Sequence, residues 1–367
     1  MNRNTILLLV CMINIHASYC FIFSIRDELA WYPSNPIECS SSVFKDMIPK
    51  NGRYIIEKHL VETEDGYLLN IFRVNLSQSE KKKLSPSNKK NIGRPIFAQH
   101  GILDAADNFF MNGEDGSPGF WLINKGFDVW FGNNRGNKYS IGHKNTMTDQ
   151  SFFDFTFEDF GLYDIPACYH KILEITAHET IQPKKIIYLG HSQGTQQMWV
   201  ALSDPTKTGE KTRKYLAENT DMFVSLAPIY YLNEINLPFI LNPFYNTFEN
   251  HFRNIMSTFG VYDIMTNKCQ GTNNWTKALQ FICTNAIFGI CKGIASIFGR
   301  DESRDNVIGG LDKMLNYNPA GMSVKNLVHL EQLVNKNSSV SQKYDYGNPE
   351  ANKKAYGSEL PPQYNPE

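Results

Sequence analysis

Five consecutive residues, Gly190-His191-Ser192-Gln193-Gly194, set a serine between two glycines. A serine hydroxyl becomes a nucleophile when a base takes its proton, an acid orients that base, and donors stabilise charge on the attacked carbonyl. Glycines two before and two after the serine fit one geometry, a turn so tight that side chains there would clash. The serine in such a turn holds a strained backbone and projects its hydroxyl outward. In a chain of this length the pattern arises by chance with a probability on the order of 0.1. Its setting therefore decides its meaning.

The setting is a strand, a turn and a helix. "KKIIYLG" (184–190) is a buried-strand pattern and "TQQMWVALS" (195–203) reads as a helix. "PIFAQHG" (95–101), "GFDVWFGNNRG" (126–136) and "DMFVSLAP" (221–228) are further buried-strand patterns. Residues 157–177 carry helical spacing at Phe160, Ile165, Ile172 and Ile175, with Pro166 near the expected start, where proline is tolerated. Residues 53–75 read as two strands turning at Asp65-Gly66, and the lysine-rich stretch 77–94 as an exposed loop. Strands alternating with helices predict an α/β fold, a mostly parallel sheet with helices on both faces. Residues 229–345 are aromatic-rich without strand alternation and include the helical pattern "SVKNLVHLEQLV". They read as a mainly helical cap. Its aromatics suit an apolar substrate, and equally suit the cap's own core.

Bulk properties narrow the class. The 367 residues are 42% hydrophobic and 20% charged, a globular composition. The formal net charge of −1 gives no overall positive field, so no nucleic-acid partner is expected. Arg3, the apolar run Ile6 to Ile15, and Ser18 and Cys20 form a signal-peptide pattern over residues 1–20, which predicts the secretory pathway, secreted or vesicular; an uncleaved anchor is the alternative. Beyond Cys20 remain Cys39, Cys168, Cys269, Cys283 and Cys291, an odd number. No close Cys/His cluster occurs, so no metal site is expected. Sequons at Asn75, Asn274 and Asn337 are glycosylation candidates.

Several stretches together resemble the acid lipase family of the α/β-hydrolase fold. They include "VETEDGYLLNIFRV" (61–74), "QHGILDAADNF" (99–109), "GFDVWFGNNRGNKYS" (126–140), "FFDFTFEDFGLYDIPA" (152–167), "YLGHSQGTQQ" (188–197), "NPAGMSVKNLVH" (318–329) and "YDYGNPEANKKAYGSELPPQYN" (344–365). They run in family order from about residue 45. The resemblance implies a core over 21–228, a cap or lid over 229–345 and a return to the core from 346 to 367. It implies Ser192 as nucleophile, the backbone N–H groups of Gln193 and Ile102 as oxyanion donors, and Cys269 paired with Cys283. It also implies a neutral lipid ester as substrate, a triacylglycerol or steryl ester met at a lipid–water interface, with no cofactor.

One expectation breaks the pattern. The triad order is serine, then acid, then histidine. The family's acid and histidine follow the "PPxYN" stretch, which here is followed by Pro366 and Glu367. No triad acid or base is identified, and the last two strands of the pattern are missing. After Ser192 the histidines are His251 and His329, both in the expected cap; His100 and His191 read as structural. A shortened chain, a non-catalytic relative and a partner that completes the fold are the three accounts, and the intact upstream elements favour the first. The functional expectations are a lipid ester hydrolase, a non-catalytic lipid-binding protein, and a serine hydrolase on another ester or thioester.

Overall fold

The computed structural model of the chain describes residues 6–14, 17–25, 44, 47–179, 184–232, 253, 256–264, 266, 317–335 and 341–365. Strands β1 (Ile6–Asn14) and β2 (Ala17–Ile25) pair antiparallel in a sheet of their own. The main sheet is built from β3 (Tyr54–Glu62), β4 (Tyr67–Leu76), β5 (Pro95–Gln99), β6 (Asp128–Phe131), β7 (Gly142–His143), β8 (Ile186–His191) and β9 (Thr220–Leu226). Its order is β3-β4-β6-β5-β8-β9, with β7 beside β4. The pairs β6-β5, β5-β8 and β8-β9 are parallel, and β4 runs antiparallel to β3, β6 and β7. The expected α/β-hydrolase sheet is thus a parallel block of four strands extended by an antiparallel hairpin.

Local chemistry explains each element. The β3–β4 hairpin turns at Gly66, whose φ of +95° and close neighbours (an added Cβ would lie 2.8 Å from Lys144 Cε) leave room only for glycine. The parallel strands β5, β6 and β8 are buried almost along their length because both faces are covered. The helix Ile165–Glu179 packs along β3 and β5, Pro118–Asn124 against β4 and β6, and Gln193–Ser203 against β8. Aromatic rings fill the core; Phe44 stacks on Phe72 at 4.3 Å and Phe110 meets Phe131 edge-on at 4.8 Å.

One expectation is corrected. The stretch 77–94 is exposed but forms two short helices, Gln78–Lys83 and Pro86–Lys89. Ser85 caps the second, with Pro86 in its first turn, and a Lys83–Glu80 pair supports the first. The helical stretch begins at Phe157, capped by Thr156, and its long α-helical part, Ile165–Glu179, has Pro166 in its first turn as expected. A π turn, Phe160–Asp164, precedes the proline, and the Thr212 hydroxyl donates to the Leu162 carbonyl at 3.3 Å. That carbonyl is the one a residue-166 N–H would meet in a regular α-helix. Among the described residues β9 has a strand neighbour on one side only, and Met222 and Leu226 are 54% and 40% exposed, so the fourth strand is an exposed apolar edge.

In the expected cap, β10 (Asp263–Ile264) pairs with β11 (Met322–Ser323), which leads into the helix Val324–Asn335. Met256, Val261, Val324, Val328 and Tyr344 form a small second core there. Cys269, Cys283, Cys291, Asn274, Asn337 and His251 lie outside the described residues.

Segment 341–365 is fastened to the main core by buried charge. Lys343 Nζ lies 2.5 Å from Asp204 Oδ2 and 3.1 Å from Glu158 Oε1, and the Tyr364 hydroxyl donates to Glu158 at 2.5 Å. Burial alone would raise Glu158, but the Lys343 charge and the Tyr364 hydroxyl bring it down to about 2. A carboxyl depressed in the folded state stabilises the fold above its ordinary value of 4.5, and that stability drains away as pH falls toward about 2. Lys343→Met would leave two buried carboxylates without their cation, at a cost of about 3–5 kcal/mol near neutral pH. The deficit should narrow as the medium is acidified and Glu158 protonates. Thermal denaturation of both chains at neutral and acid pH checks this; a deficit that widens on acidification contradicts it.

Candidate active site

The carboxyl ends of β5 and β8 lie side by side, with Gln99 opposite Gly190. Ligand sites of open α/β sheets form at such ends. The chain leaves β8 through a sharp turn and enters the helix Gln193–Ser203 with Ser192 as its N-cap. Ser192 has φ +52° and ψ −120°, a conformation that non-glycine residues avoid. It is held there by its surroundings. The Ser192 N–H donates to the Leu226 carbonyl at 2.9 Å, at the end of β9. The Ser192 carbonyl accepts from the Thr195 N–H (2.8 Å) and the Thr195 hydroxyl (2.7 Å). The Tyr188 hydroxyl, fully buried, reaches across the turn to the Gly194 carbonyl at 2.7 Å.

Both flanking glycines are needed for space, Gly190 within the turn as the sequence implied and Gly194 against a neighbouring segment. A methyl group at Gly190 would lie 2.7 Å from the Gly194 carbonyl oxygen. One at Gly194 would lie 2.4 Å from the Gln99 carbonyl oxygen and 2.8 Å from that of His100. Backbone therefore packs directly on backbone, and the turn presses against the segment leaving β5.

That segment carries Ile102. Its Gly101 lies against the serine, since a Cβ there would sit 3.1 Å from Ser192 Cβ. His100 braces the segment. Its Nε2 accepts from the Asn134 N–H at 3.1 Å, so its Nδ1 carries the proton and donates to the Gly101 carbonyl at 2.8 Å. Burial pushes its pKa down to about 4, and the ring stays neutral. Leu103, at φ +55°, accepts at its carbonyl from the Ala320 N–H at 2.7 Å. Burial, reinforced by neighbouring Asp107, pushes Asp104 up to about 7. Ser192, the Gln193 peptide and the Gly101–Ile102 turn are thus brought to one place at the N-terminus of a helix, where partial positive charge accumulates.

Other sequence candidates lie elsewhere. His329 is fully buried, stacked on Phe157 at 4.2 Å, and its Nε2 meets the Gln342 carbonyl at 3.0 Å. Burial drives it down to about 4. His191 is lowered by burial as well, and its Nδ1 has no hydrogen-bond partner. Among the described residues no histidine nitrogen is hydrogen-bonded to the Ser192 hydroxyl. Asn75 is buried on β4 and its amide donates to Asp128 at 2.8 Å. Among the described residues no group of three His, Cys, Asp or Glu could hold a metal ion, and no helix is long and apolar enough to cross a membrane. Sequence reasoning missed Thr195, Tyr188 and Asn326, all close to the turn in space. Asn326 does fall within the quoted stretch 318–329, but nothing in its local pattern gave it a role.

The strain at Ser192 is measurable. Ser192→Gly removes the Cβ penalty at a positive φ, whereas Ser192→Ala keeps it. The glycine variant should be the more stable of the two by about 1 kcal/mol. Chemical denaturation of both checks this, and an alanine variant of equal or greater stability would show that the turn is unstrained.

Comparison with known proteins agrees with this geometry. Residues 44–113 match the family model described as a partial alpha/beta-hydrolase lipase region, and residues 94–251 match that of the alpha/beta hydrolase fold. The chain is 33% identical to the gastric triacylglycerol lipase of Bos taurus over 370 residues, covering 98% of this chain and 81% of that one. It is 33% identical to the gastric triacylglycerol lipase of Homo sapiens, covering 85% and 71% respectively. Against lipase member K of Mus musculus it is 31% identical, again covering 85% and 71%. With the strand–turn–helix at Ser192 and the parallel sheet beneath it, these matches show that the chain belongs to the acid lipase family of the α/β-hydrolase fold.

Proposed function

We propose that this protein is a carboxylic ester hydrolase acting on neutral lipid esters, with Ser192 as nucleophile. The observation that carries the reading is the backbone of Ser192, held at φ +52° at the end of β8 with Gly101 against its side chain. Such a conformation costs of order 1–3 kcal/mol and persists where the exposed hydroxyl has a use. The Ser192 oxygen would add to the ester carbonyl, whose oxygen takes negative charge; collapse would break the ester C–O bond, release the alcohol with the serine proton and leave an acyl-serine, which water would hydrolyse to the carboxylic acid and free Ser192. The peptide N–H groups of Gln193 and Ile102 are the donors for that charge, each of the kind worth a few kcal/mol of barrier. The relatives named as triacylglycerol lipases support a lipid ester as the substrate class. The apolar run near the N-terminus supports routing through the secretory pathway, either secreted or lysosomal.

A second reading has one observation in its favour. Among the described residues no imidazole contacts Ser192, which suits a lipid-binding protein without turnover. The two separate experimentally. A fluorophosphonate probe should label the chain, and Ser192→Ala should abolish labelling and lower turnover of long-chain esters by roughly 10³-fold or more. Saturable binding of a fluorescent fatty ester from acid to neutral pH, with no labelling and no turnover, favours the second reading and overturns the first.

A further inference from the structure

Gln193 and Asn326 are 133 residues apart, yet their side-chain amides pair reciprocally. Gln193 Nε2 donates to Asn326 Oδ1 at 3.4 Å, and Asn326 Nδ2 donates to Gln193 Oε1 at 3.3 Å. Both side chains are buried. The sense of the pair is set from outside it. The Phe157 N–H donates to Asn326 Oδ1 at 2.8 Å, and a backbone N–H can only donate. The Asn326 oxygen is therefore the shared acceptor, and its nitrogen faces Gln193.

Asn326 is itself fixed. Its N–H donates to Ser323 Oγ at 3.0 Å, and that hydroxyl donates to the Phe155 carbonyl at 2.6 Å. Ser323 closes β11 and Asn326 lies in the first turn of the following helix. Phe157 opens the helical stretch that crosses the Gln193–Ser203 helix, with Gly161 packed on the Gln197 carbonyl. Ser323 thus holds the Asn326 backbone, the Phe157 N–H holds its side-chain amide, and that amide holds the first residue after the strained serine.

We propose that Asn326 is a positioning residue, which fixes the Gln193 side chain and through it the aim of the Gln193 peptide N–H beside Ser192. This rests on the ester-hydrolase reading above. A peptide next to a residue at φ +52° sits in a shallow, unfavourable backbone well, and side-chain anchors narrow its range. Hydrogen-bond value falls steeply with misalignment, so an oxyanion donor that wanders loses its effect in the transition state before it loses substrate binding.

The test uses Asn326→Leu, Gln193→Met and their double variant in the full chain. Gln193→Met keeps the residue-193 N–H and the Asn326–Phe157 bond, so it reports on the pair even where Asn326→Leu disturbs folding. With a p-nitrophenyl ester, each single variant should lower kcat by roughly 10- to 100-fold with KM little changed. The double variant should be no slower than the slower single one, because both remove the same pair. A merely structural role would lower Tm while the folded enzyme kept its kcat, or would give effects that multiply; either result overturns the proposal. A second readout needs no activity. Side-chain amide protons of Gln193 should exchange slowly in the parent chain and rapidly in Asn326→Leu. A parent chain without Ser192-dependent labelling overturns the ester-hydrolase reading, and amide exchange then decides the linkage alone: slow exchange lost in Asn326→Leu supports it, and fast exchange in the parent refutes it.

Discussion

The close approach of two backbone segments governs the rest of this structure. The turn after β8 and the segment after β5 meet with no side chain between them, and a single methyl at Gly194 would intrude to 2.4 Å from the Gln99 carbonyl. That contact is possible because β5 and β8 are adjacent parallel strands ending at the same level. Parallel pairing in turn requires helical crossovers, which bury the strands on both faces and explain their unbroken apolar runs. The sheet order, the two glycines and the positive φ of Ser192 are three consequences of one packing constraint.

Polar groups then hold remote parts of the chain to that contact. The Arg135 guanidinium is fully buried; it is bonded to Asp164 and Asp65 and lies 3.9 Å over the Tyr67 ring. It thereby joins the hairpin turn, the segment after β6 and the π turn. Lys343 does the same for residues 158, 204 and 364. Buried ion pairs are poor sources of net stability, because desolvation offsets much of the attraction. Their effect is on specificity: a segment out of place by one residue would strand a charge in the interior. Each cluster therefore penalises wrong arrangements of elements that the hydrophobic core alone would tolerate.

Much of this was legible in the sequence. The hairpin turn at Asp65-Gly66, the strands at 95–99, 128–131 and 186–191 and the helix after Ser192 follow from local patterns of apolar residues and glycine. The clash at Gly190 was legible too, because it is local to the turn; that at Gly194 is with the Gln99 and His100 carbonyls of the segment after β5. What escaped was set by neighbours distant in sequence. Pro166 reads as lying near a helix start, as it does, but the π turn before it and the Thr212 hydroxyl on the Leu162 carbonyl depend on another helix. The burial of Asn75 and its bond to Asp128 depend on β6 lying beside β4.

The partners of the Gln193 side chain belong to the same class, and they bear on how such a site is built. A nucleophile turn needs two properties that oppose each other. The serine must be strained to expose its hydroxyl, and the adjacent peptide must be still enough to aim its N–H. Strain alone favours relaxation, so the turn needs restraint from outside its own five residues. Here restraint comes from three directions: Leu226 at the end of β9, Tyr188 from within β8, and Asn326 from the helix after β11. Only the second is close in sequence. The pentapeptide therefore specifies the shape of the turn, while its rigidity is supplied by residues 188, 226 and 326, and a five-residue pattern carries no information about any of them.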